Sequence, residues 1–231
     1  MFFNIDGTRK KLVIFGTGTV ARLAYYYFTE DSDYDVHAFC VDKEHISQET
    51  FLYLPVVDFA LLDVSYPAVE FDLFIALGYQ EMNEKRREKY TEAKMRGYTL
   101  ATYVSSWCRM MNGGTAGENC FIMEGVVIQP GTVIGNNVIV WSGATIAHDS
   151  VIGDHCFLSS GSIVAGGVEL GEGCFVGLGA VIRDRAKIGA RCLVGAGSLL
   201  LEDAAPEGVY GVSSSPRMDF SSKTAMRFIT I

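Results

Sequence analysis

The sequence lacks several features that mark common functional classes. It has no basic excess, because 19 Lys and Arg residues stand against 27 Asp and Glu residues, for a formal net charge of -8. The basic footprint of a general nucleic-acid-binding protein is therefore absent. No charge-free apolar run is long enough for a membrane span, and the N-terminal residues lack the order of a signal peptide. We expect a soluble, cytoplasmic protein with no nucleic-acid partner and no membrane span.

Metal-binding patterns are also scarce. The six cysteines show no CxxC spacing, which in a cytoplasmic protein favours free thiols over disulfides or zinc ligands. Only four histidines are present, and we predict no metal site. Hydrophobic residues make up 49% of the chain, enough for a large core. They follow two different patterns in the two halves of the sequence.

The first half has the pattern of an α/β domain. Short apolar runs end at a glycine or an acid, as buried strands do, and segments with helical spacing alternate with them. The predicted strands cover residues 10–16, 34–42, 71–78 and 98–104. The predicted helices cover residues 19–30 and 81–97, the second closed by Gly97. This alternation predicts a parallel sheet.

The second half repeats every six residues. An aliphatic residue recurs without a slip or an insertion at Ile122, Ile128, Ile134, Val140, Ile146, Ile152, Leu158, Val164, Leu170, Val176, Ile182, Ile188, Val194 and Leu200. Four positions after each stands a small or β-branched residue, such as Thr132 or Ala180. No α-helix has a period of six, so the pattern predicts a parallel β-helix of hexapeptide repeats.

Three hexads form one coil of such a solenoid, so residues eighteen positions apart should stack. Two columns of glycine agree with this expectation: residues 117, 135, 153, 171 and 189, and residues 125, 143, 161, 179 and 197. Glycines in columns fit corners that need unusual backbone angles. A further column at the small inward position contains four cysteines, Cys120, Cys156, Cys174 and Cys192. We predict that these cysteines pack in the core.

These motifs resemble a known family. The hexads look like those of the left-handed β-helix acyltransferases. VIFGTGTVA, the VD that ends at Asp42, and AHDSVIGDHCFLSSGSIVAGGVELGEGCFVGLGAVI resemble the bacterial nucleotide-sugar acetyltransferases. That group includes the bacillosamine-pathway N-acetyltransferase and the sialic-acid O-acetyltransferases. The resemblance implies left-handed coiling, acetyl-CoA as co-substrate, and a homotrimer that holds acetyl-CoA between neighbouring β-helices.

His148 is the candidate general base. It is the third residue of its hexad, where side chains point outward, and the family resemblance includes the AHD motif around it. Acetyl transfer from a thioester needs a base for the acceptor's proton, and an unperturbed histidine, with a pKa of about 6.5, suits neutral pH. Asp149 follows and could orient the imidazole as a triad acid does. The alternatives are an exposed histidine and a turn residue, since relatives often have the longer Glu at this position.

The resemblance assigns three more residues to the acetyl-CoA site. Gly166 lies one coil after His148, and in relatives the N–H at this position stabilises the oxyanion; the alternative is a plain turn glycine. Leu178 and Ala196 match positions that line the pantetheine arm, although both also suit ordinary packing. Some relatives have a second histidine nine positions after the base, where this chain has Phe157.

Two further groups have less specific patterns. His155 lies at a corner position where glycine or asparagine is common, so we expect it to be exposed or at an interface. The basic cluster Arg183, Arg185, Lys187 and Arg191 could contact the phosphates of CoA, since arginine suits such oxygens. A solvated face is the alternative.

The N-terminal GTGTVA stretch is a variant of the dinucleotide-binding fingerprint between a strand and a helix. Asp42, after the second strand, has the usual position of an acid that binds a ribose or sugar hydroxyl. The domain has only about half the strands of a full dinucleotide fold. The resemblance implies a nucleotide sugar rather than NAD, bound by Gly16, Thr17, Gly18, Asp42, Gly78 and Tyr79. Asn83 is either a substrate contact or a helix-start residue.

We therefore predict a half-Rossmann-like α/β domain in residues 1–105, followed by a left-handed parallel β-helix with a C-terminal tail in residues 106–231. The predicted activity is acetyl-CoA-dependent N-acetylation of a nucleotide-linked amino sugar, such as a 4-amino-4,6-dideoxyhexose, for surface glycan synthesis. Two alternatives remain. One is O-acetylation of sialic acid or another glycan hydroxyl, and the other is a non-catalytic trimeric scaffold.

Overall fold

The computed structural model describes residues 9–215, 217, 219 and 221–229. The N-terminal domain is an α/β unit in which strands and helices alternate. Its elements are β1 (Lys10–Phe15), α1 (Thr19–Glu30), β2 (Tyr34–Val41), β3 (Thr50–Phe51), β4 (Leu54–Asp58), α2 (Leu62–Ser65), β5 (Phe71–Ile75) and α3 (Glu84–Met95). Two short 3-10 turns cover Lys43–His45 and Phe59–Leu61. The first eight residues of the predicted domain lie outside the described residues.

The N-terminal sheet has the order β3-β4-β2-β1-β5, parallel except for β3. The prediction of a sheet strand over residues 98–104 is wrong. Leu100 forms a single bridge to Leu73, and Tyr103–Val104 belongs to the β-helix. The fourth parallel strand is instead β4, which the sequence pattern did not predict because the run is short and contains Pro55, a residue that weakens a strand signal.

The second half is a left-handed parallel β-helix with three faces, as predicted. The first face consists of Tyr103–Val104, Phe121–Ile122, Ile139–Val140, Phe157–Leu158, Phe175–Val176, Leu193–Val194 and Val209–Tyr210. The second face consists of Arg109–Met110, Val127–Ile128, Thr145–Ile146, Ile163–Val164, Val181–Ile182 and Leu199–Leu200. The third face consists of Thr115–Ala116, Val133–Ile134, Val151–Ile152, Glu169–Leu170 and Lys187–Ile188. A last helix, α4, covers Ser222–Ile229.

Each two-residue strand directs its second residue inward, and these are the hexad positions found in the sequence. The inward aliphatic side chains form one continuous buried core, and burying each one contributes roughly 2 kcal/mol. The cysteine column is part of this core, as predicted, and all six cysteines are free. Burial raises the pKa of Cys120 to about 12, so this thiol stays protonated and inert at neutral pH.

The β-helix has three edges, where the chain turns from one face to the next. The histidine edge, between the second and third faces, contains residues 147–150, 165–168 and 183–186. The leucine edge, between the first and second faces, contains residues 141–144, 159–162, 177–180 and 195–198. The docking edge, between the third and first faces, contains residues 135–138, 153–156 and 171–174.

The N-terminal domain packs against the first face and the docking edge. Outward side chains of the first face, including Phe121, Ile139 and Phe157, share a core with β1 and α1. The proposed domain boundary after residue 105 falls directly after the first β-helix strand, Tyr103–Val104. No helix in the described part of the chain combines the length and apolarity needed to cross a bilayer.

Candidate active site

His148 and Asp149 form a hydrogen-bonded pair on the histidine edge. His148 Nδ1 lies 2.9 Å from Asp149 Oδ2, so the shorter acid does reach the ring. A neutral imidazole that donates from Nδ1 presents the lone pair of Nε2. Asp149 has a φ of 57°, the left-handed conformation that glycine adopts one coil before and after it. Both side chains are more than half exposed, so a second molecule can approach Nε2.

Gly166 lies directly against the imidazole. A Cβ at residue 166 would stand 2.6 Å from His148 Nε2, so the ring occupies space that only a glycine leaves. The sequence led us to expect an approachable N–H at Gly166, but this N–H donates to Asp184 Oδ1 over 3.1 Å. The reason is the stacking of coils, because a side chain eighteen residues on can reach back to a corner amide. Asp154 accepts from Asn136 N in the same way, over 2.7 Å.

Leu178 and Ala196 lie on a different edge from His148. Both are exposed on the leucine edge, and the whole second face separates them from the histidine edge. Edges of one β-helix run side by side and do not meet, so a single copy of the chain cannot bring Leu178 to His148. The two parts of the predicted acetyl-CoA site are therefore not joined within one copy of the chain.

A cavity of about 370 Å³ opens where the leucine edge meets the N-terminal domain. It is lined by Tyr79, Trp141, Phe157, Ser159, Ser160, Phe175, Gly177, Leu178 and Ala196. The ring of Tyr79 packs 5.1 Å from that of Phe157 and 4.9 Å from that of Phe175. The latter two rings stack on each other at 5.5 Å. The cavity thus joins one predicted sugar-nucleotide residue to two predicted pantetheine residues.

The sequence did not predict Trp141 and Phe175 as residues that line this cavity. A signal for Phe175 was present, because Phe121, Phe157 and Phe175 are outward residues of one column on the first face. Outward phenylalanines at this spacing indicate a face that another unit covers. The place of Trp141 in the cavity lining depends on where the N-terminal domain docks, because Tyr79 of that domain also lines the cavity.

The predicted sugar-nucleotide residues lie at the carboxyl ends of three adjacent strands. Gly16, Thr17 and Gly18 follow β1, and Gly78 and Tyr79 follow β5. Between β1 and β5 the strand order reverses, which is where open α/β sheets bind their ligands. Gly16 has a φ of 117°, and a Cβ there would stand 3.1 Å from the carbonyl oxygen of Ala76, so the two loops approach each other closely.

Asp42 follows β2 at the same end of the sheet. Its Oδ1 accepts a hydrogen bond from Lys89 Nζ over 2.7 Å. Burial of Lys89 opposes its charge, but the contacts with Asp42 and Glu92 outweigh burial and raise the pKa of Lys89. The Asp42 carboxylate is therefore held in place by an ion pair.

His155 lies in the interface between the two domains, one of the two locations expected from the sequence. Its φ is 63°, its Nδ1 lies 2.9 Å from Asn137 Nδ2, and its ring packs 5.5 Å from that of Tyr90. Burial lowers its pKa. His155 and His148 lie on different edges, so the two histidines do not share a site.

The predicted basic cluster is split by the fold. Arg183 and Arg185 lie exposed on the histidine edge, on either side of Asp184. Lys187 lies on the third face and pairs with Glu169 over 3.2 Å. Arg191 lies on the corner next to the N-terminal domain and pairs with Glu207 over 2.6 Å. Only the first two residues share an edge with His148, because hexads turn successive residues to different faces.

Two other groups in the structure lie away from His148. A cavity of about 570 Å³ lies beside α1, and its Asp31 and Glu124 carboxylates already accept hydrogen bonds, among them those from Tyr103 and Tyr27. Among the described residues, Asp42, Glu44 and His45 place ligand atoms within 4.8 Å of one another. Because the Asp42 carboxylate pairs with Lys89, we assign no metal to this group.

Comparison with known proteins adds independent evidence. Residues 117–148 and 149–184 match the family model described as bacterial transferase hexapeptide (six repeats). No curated protein matches the chain. The acetyltransferase domain of PglB from Neisseria gonorrhoeae FA1090 is similar in structure, with a TM-score of 0.78 and 24% sequence identity over 87% of this chain and 96% of that chain.

Several of the similar structures contain bound ligands. PerB from Caulobacter crescentus, solved in complex with CoA and GDP-perosamine, has a TM-score of 0.76 and 28% identity over 86% of this chain and 92% of that chain. The PglB domain has also been solved in complex with acetyl coenzyme A, with a TM-score of 0.77 and 24% identity over 87% of this chain and 95% of that chain. The repeat match and the likeness across both domains confirm the family resemblance seen in the sequence.

Proposed function

We propose that this protein, an acetyltransferase of the hexapeptide-repeat nucleotide-sugar type, transfers the acetyl group of acetyl-CoA to the amino group of a nucleotide-linked sugar, with His148 as general base. The observation that carries the proposal is the pair on the histidine edge. Asp149 holds Nδ1 of His148, and Nε2 rests over Gly166. The similar PerB structure contains CoA and GDP-perosamine, and the PglB domain contains acetyl-CoA.

In the proposed reaction the imidazole of His148 carries one proton from the amine to the sulfur of CoA. As the amine nitrogen attacks the thioester carbon, Nε2 of His148 takes a proton from it. The tetrahedral oxyanion accepts a hydrogen bond from Gly166 N–H. The Asp184 side chain, which accepts from this N–H in the structure, must first move away. Collapse of the intermediate breaks the C–S bond, and the imidazolium returns the proton to the CoA sulfur. Asp149 stabilises the transient imidazolium.

The substrate we propose is a nucleotide-linked amino sugar such as a 4-amino-4,6-dideoxyhexose, destined for surface glycan. Gly16, Thr17, Gly18 and Gly78 would present backbone to the nucleotide at the switch point of the sheet, and Asp42 would bind a hydroxyl. Tyr79 leads from this end of the sheet into the aromatic cavity. The apolar lining of that cavity suits a deoxy sugar, because transfer of a methyl group from water to an aromatic surface is favourable in free energy.

The active unit we propose is a homotrimer. Leu178 and Ala196 lie on the leucine edge and His148 on the histidine edge, so a second copy must supply one of the two. Arg183 and Arg185 share the edge of His148 and are the members of the basic cluster that could meet CoA phosphates. The pantetheine arm would then lie between neighbouring β-helices.

Substrate panels test the activity. The purified protein is incubated with acetyl-CoA and, separately, UDP- or GDP-linked 4-amino-4,6-dideoxyhexoses, other amino-sugar nucleotides, and free sialic acid. Release of CoA and the mass of the product are followed. We expect acetylation of an amino-sugar nucleotide, lost in His148→Ala. Release with sialic acid only would replace this reading with O-acetylation, and full turnover by His148→Ala would remove the mechanism.

Mixed oligomers test the shared site. His148→Ala damages one edge and Leu178→Asp damages the other, so each variant alone should be nearly inactive. After the two are unfolded together and refolded, some interfaces pair an intact His148 with an intact Leu178. We expect activity to return in the mixture and not in either variant refolded alone. A mixture without activity, although mixed oligomers form, would contradict a site shared between copies.

A further inference from the structure

Arg86 is a fully buried arginine on a helix whose other charged side chains are not buried. It is 0% exposed in α3, while its neighbours Lys85 and Arg87 make surface ion pairs. All of its hydrogen bonds go to neutral oxygens: the carbonyls of Gly78 (2.6 Å), Asn137 (3.3 Å), His155 (2.8 Å) and Cys156 (3.1 Å), and Asn83 Oδ1 (3.0 Å). Burying a charge without a carboxylate partner is costly, and these hydrogen bonds are what compensates for it.

The partners of Arg86 belong to two different domains. Gly78 and Asn83 lie in the loop that follows β5, whereas Asn137, His155 and Cys156 lie on the docking edge of the β-helix. One planar guanidinium therefore joins the carboxyl end of the N-terminal sheet to two successive coils. Burial lowers the pKa of Arg86 to about 10, which leaves the side chain charged at neutral pH. Its fork of donors is fixed in direction, so it sets position as well as distance.

The loop between Gly78 and α3 has an unfavourable backbone. Glu81, Met82 and Asn83 have φ values of 50°, 53° and 72°, three successive non-glycine residues in the left-handed region. Such a segment persists only where its surroundings hold it, and strain of this kind clusters at functional sites. Asn83 is 1% exposed, and its Nδ2 donates to the carbonyls of Gly173 (3.0 Å) and Cys174 (3.4 Å). Asn83 is thus a docking contact as well as the residue that precedes α3.

The held loop carries Tyr79. This residue follows Gly78 directly, is 57% exposed, and packs its ring on Phe157 and Phe175 in the aromatic cavity. We propose that Arg86, with Asn83, is a positioning residue that fixes the Gly78–Asn83 loop on the β-helix and so sets Tyr79 for nucleotide-sugar binding. This inference rests on the proposed function, because it concerns the same substrate site.

Steady-state kinetics provide the first test. Arg86→Lys keeps the charge and loses the fork, and Asn83→Gly removes the side-chain contacts at a φ that glycine tolerates. We expect both variants to raise the KM for the nucleotide sugar at least tenfold, with the KM for acetyl-CoA within twofold of wild type. Arg87→Gln on the same helix is the matched control and should keep both values. Equal rises in both KM values, or a lower melting temperature with unchanged KM values, would make Arg86 a purely structural residue and overturn the proposal.

Two further readouts do not depend on turnover. The amides of Asn83 and Glu84 donate to the carbonyls of Tyr79 (3.2 Å) and Glu81 (3.1 Å), so their hydrogen exchange should be slow in the wild type and faster in both variants, while the β-helix coils stay protected. With Trp107→Phe as background, the remaining Trp141 in the cavity reports nucleotide-sugar binding by fluorescence, and the variants should shift that titration at least tenfold. If the wild type acetylates no amino-sugar nucleotide, the proposed function fails. Unchanged exchange at residues 83 and 84 in both variants would instead overturn the role of Arg86.

Discussion

Nδ1 of His148 lies 2.9 Å from Oδ2 of Asp149, a residue with a φ of 57°. Asp149 therefore combines a turn conformation with contact to the candidate base. Two variants separate these roles. Asp149→Gly keeps the backbone, since Gly131 and Gly167 occupy the same column with positive φ, and removes the carboxylate. Asp149→Asn keeps a neutral acceptor.

We expect Asp149→Gly to lower kcat only about tenfold, because water can partly replace an exposed carboxylate. Asp149→Asn should lower kcat less, because its amide oxygen can still accept a hydrogen bond from Nδ1. His148→Ala should cost about 100-fold or more, the usual range for loss of a general base. The measurements are kcat across pH and the melting temperature, which should stay unchanged in Asp149→Gly. Wild-type kcat with an unaltered pH profile in Asp149→Gly would leave Asp149 as a turn residue only.

Gly166→Ala should disable His148 without touching its ring chemically. The added Cβ would stand 2.6 Å from Nε2, so the imidazole must turn away from the site. We expect kcat to fall about 100-fold, close to the effect of His148→Ala. Gly211→Ala is the control, because nothing lies within 4 Å of a Cβ there. A Gly166→Ala enzyme with wild-type kcat would show that the position of the ring over Gly166 is not used.

The Asp184 carboxylate accepts a hydrogen bond from Gly166 N–H, the group that the proposed mechanism uses as oxyanion donor. If Gly166 N–H is the oxyanion donor, Asp184→Ala frees it and removes a negative charge near the developing oxyanion, so kcat should rise a few-fold. Asp154→Ala removes the matching contact with Asn136 N on the docking edge, and should leave kcat unchanged. Both variants are assayed with saturating acetyl-CoA. A tenfold loss in Asp184→Ala alone would indicate that the carboxylate supports catalysis, and would argue against Gly166 as donor.

The buried His155 should make stability depend on pH. Burial lowers its pKa, so below the ordinary value of about 6.5 the unfolded chain binds more protons than the folded chain. Stability is therefore full above pH 6.5 and declines as the pH falls towards the folded-state pKa. His155→Asn keeps a residue type found in the same column at Asn119 and Asn137. Between pH 7 and pH 5 its melting temperature should fall less than that of the wild type, and an equal fall would contradict the prediction.

Particular residues show how far the sequence alone could go. The inward positions of the β-helix, the burial of four cysteines in its core and the outward direction of His148 all follow from a six-residue period that stacks residues eighteen positions apart. The exclusion of residues 98–104 from the strands of the N-terminal sheet and the contact of Asp184 with Gly166 did not follow. In both cases the local pattern fits two structures, and contacts with distant chain decide between them.

The sequence by itself determined the β-helix, its register and the exposure of the histidine edge, because every coil pairs with the next by the same local rule. Only the tertiary structure decided how the N-terminal domain meets the β-helix. Arg86 contacts Asn137 and His155, which lie 51 and 69 positions further along the chain, and no sequence repeat predicts these contacts. The burial of His155, the cavity at Tyr79 and the separation of Leu178 from His148 depend on that docking or on the three-sided shape, since they are properties of surfaces brought together by folding.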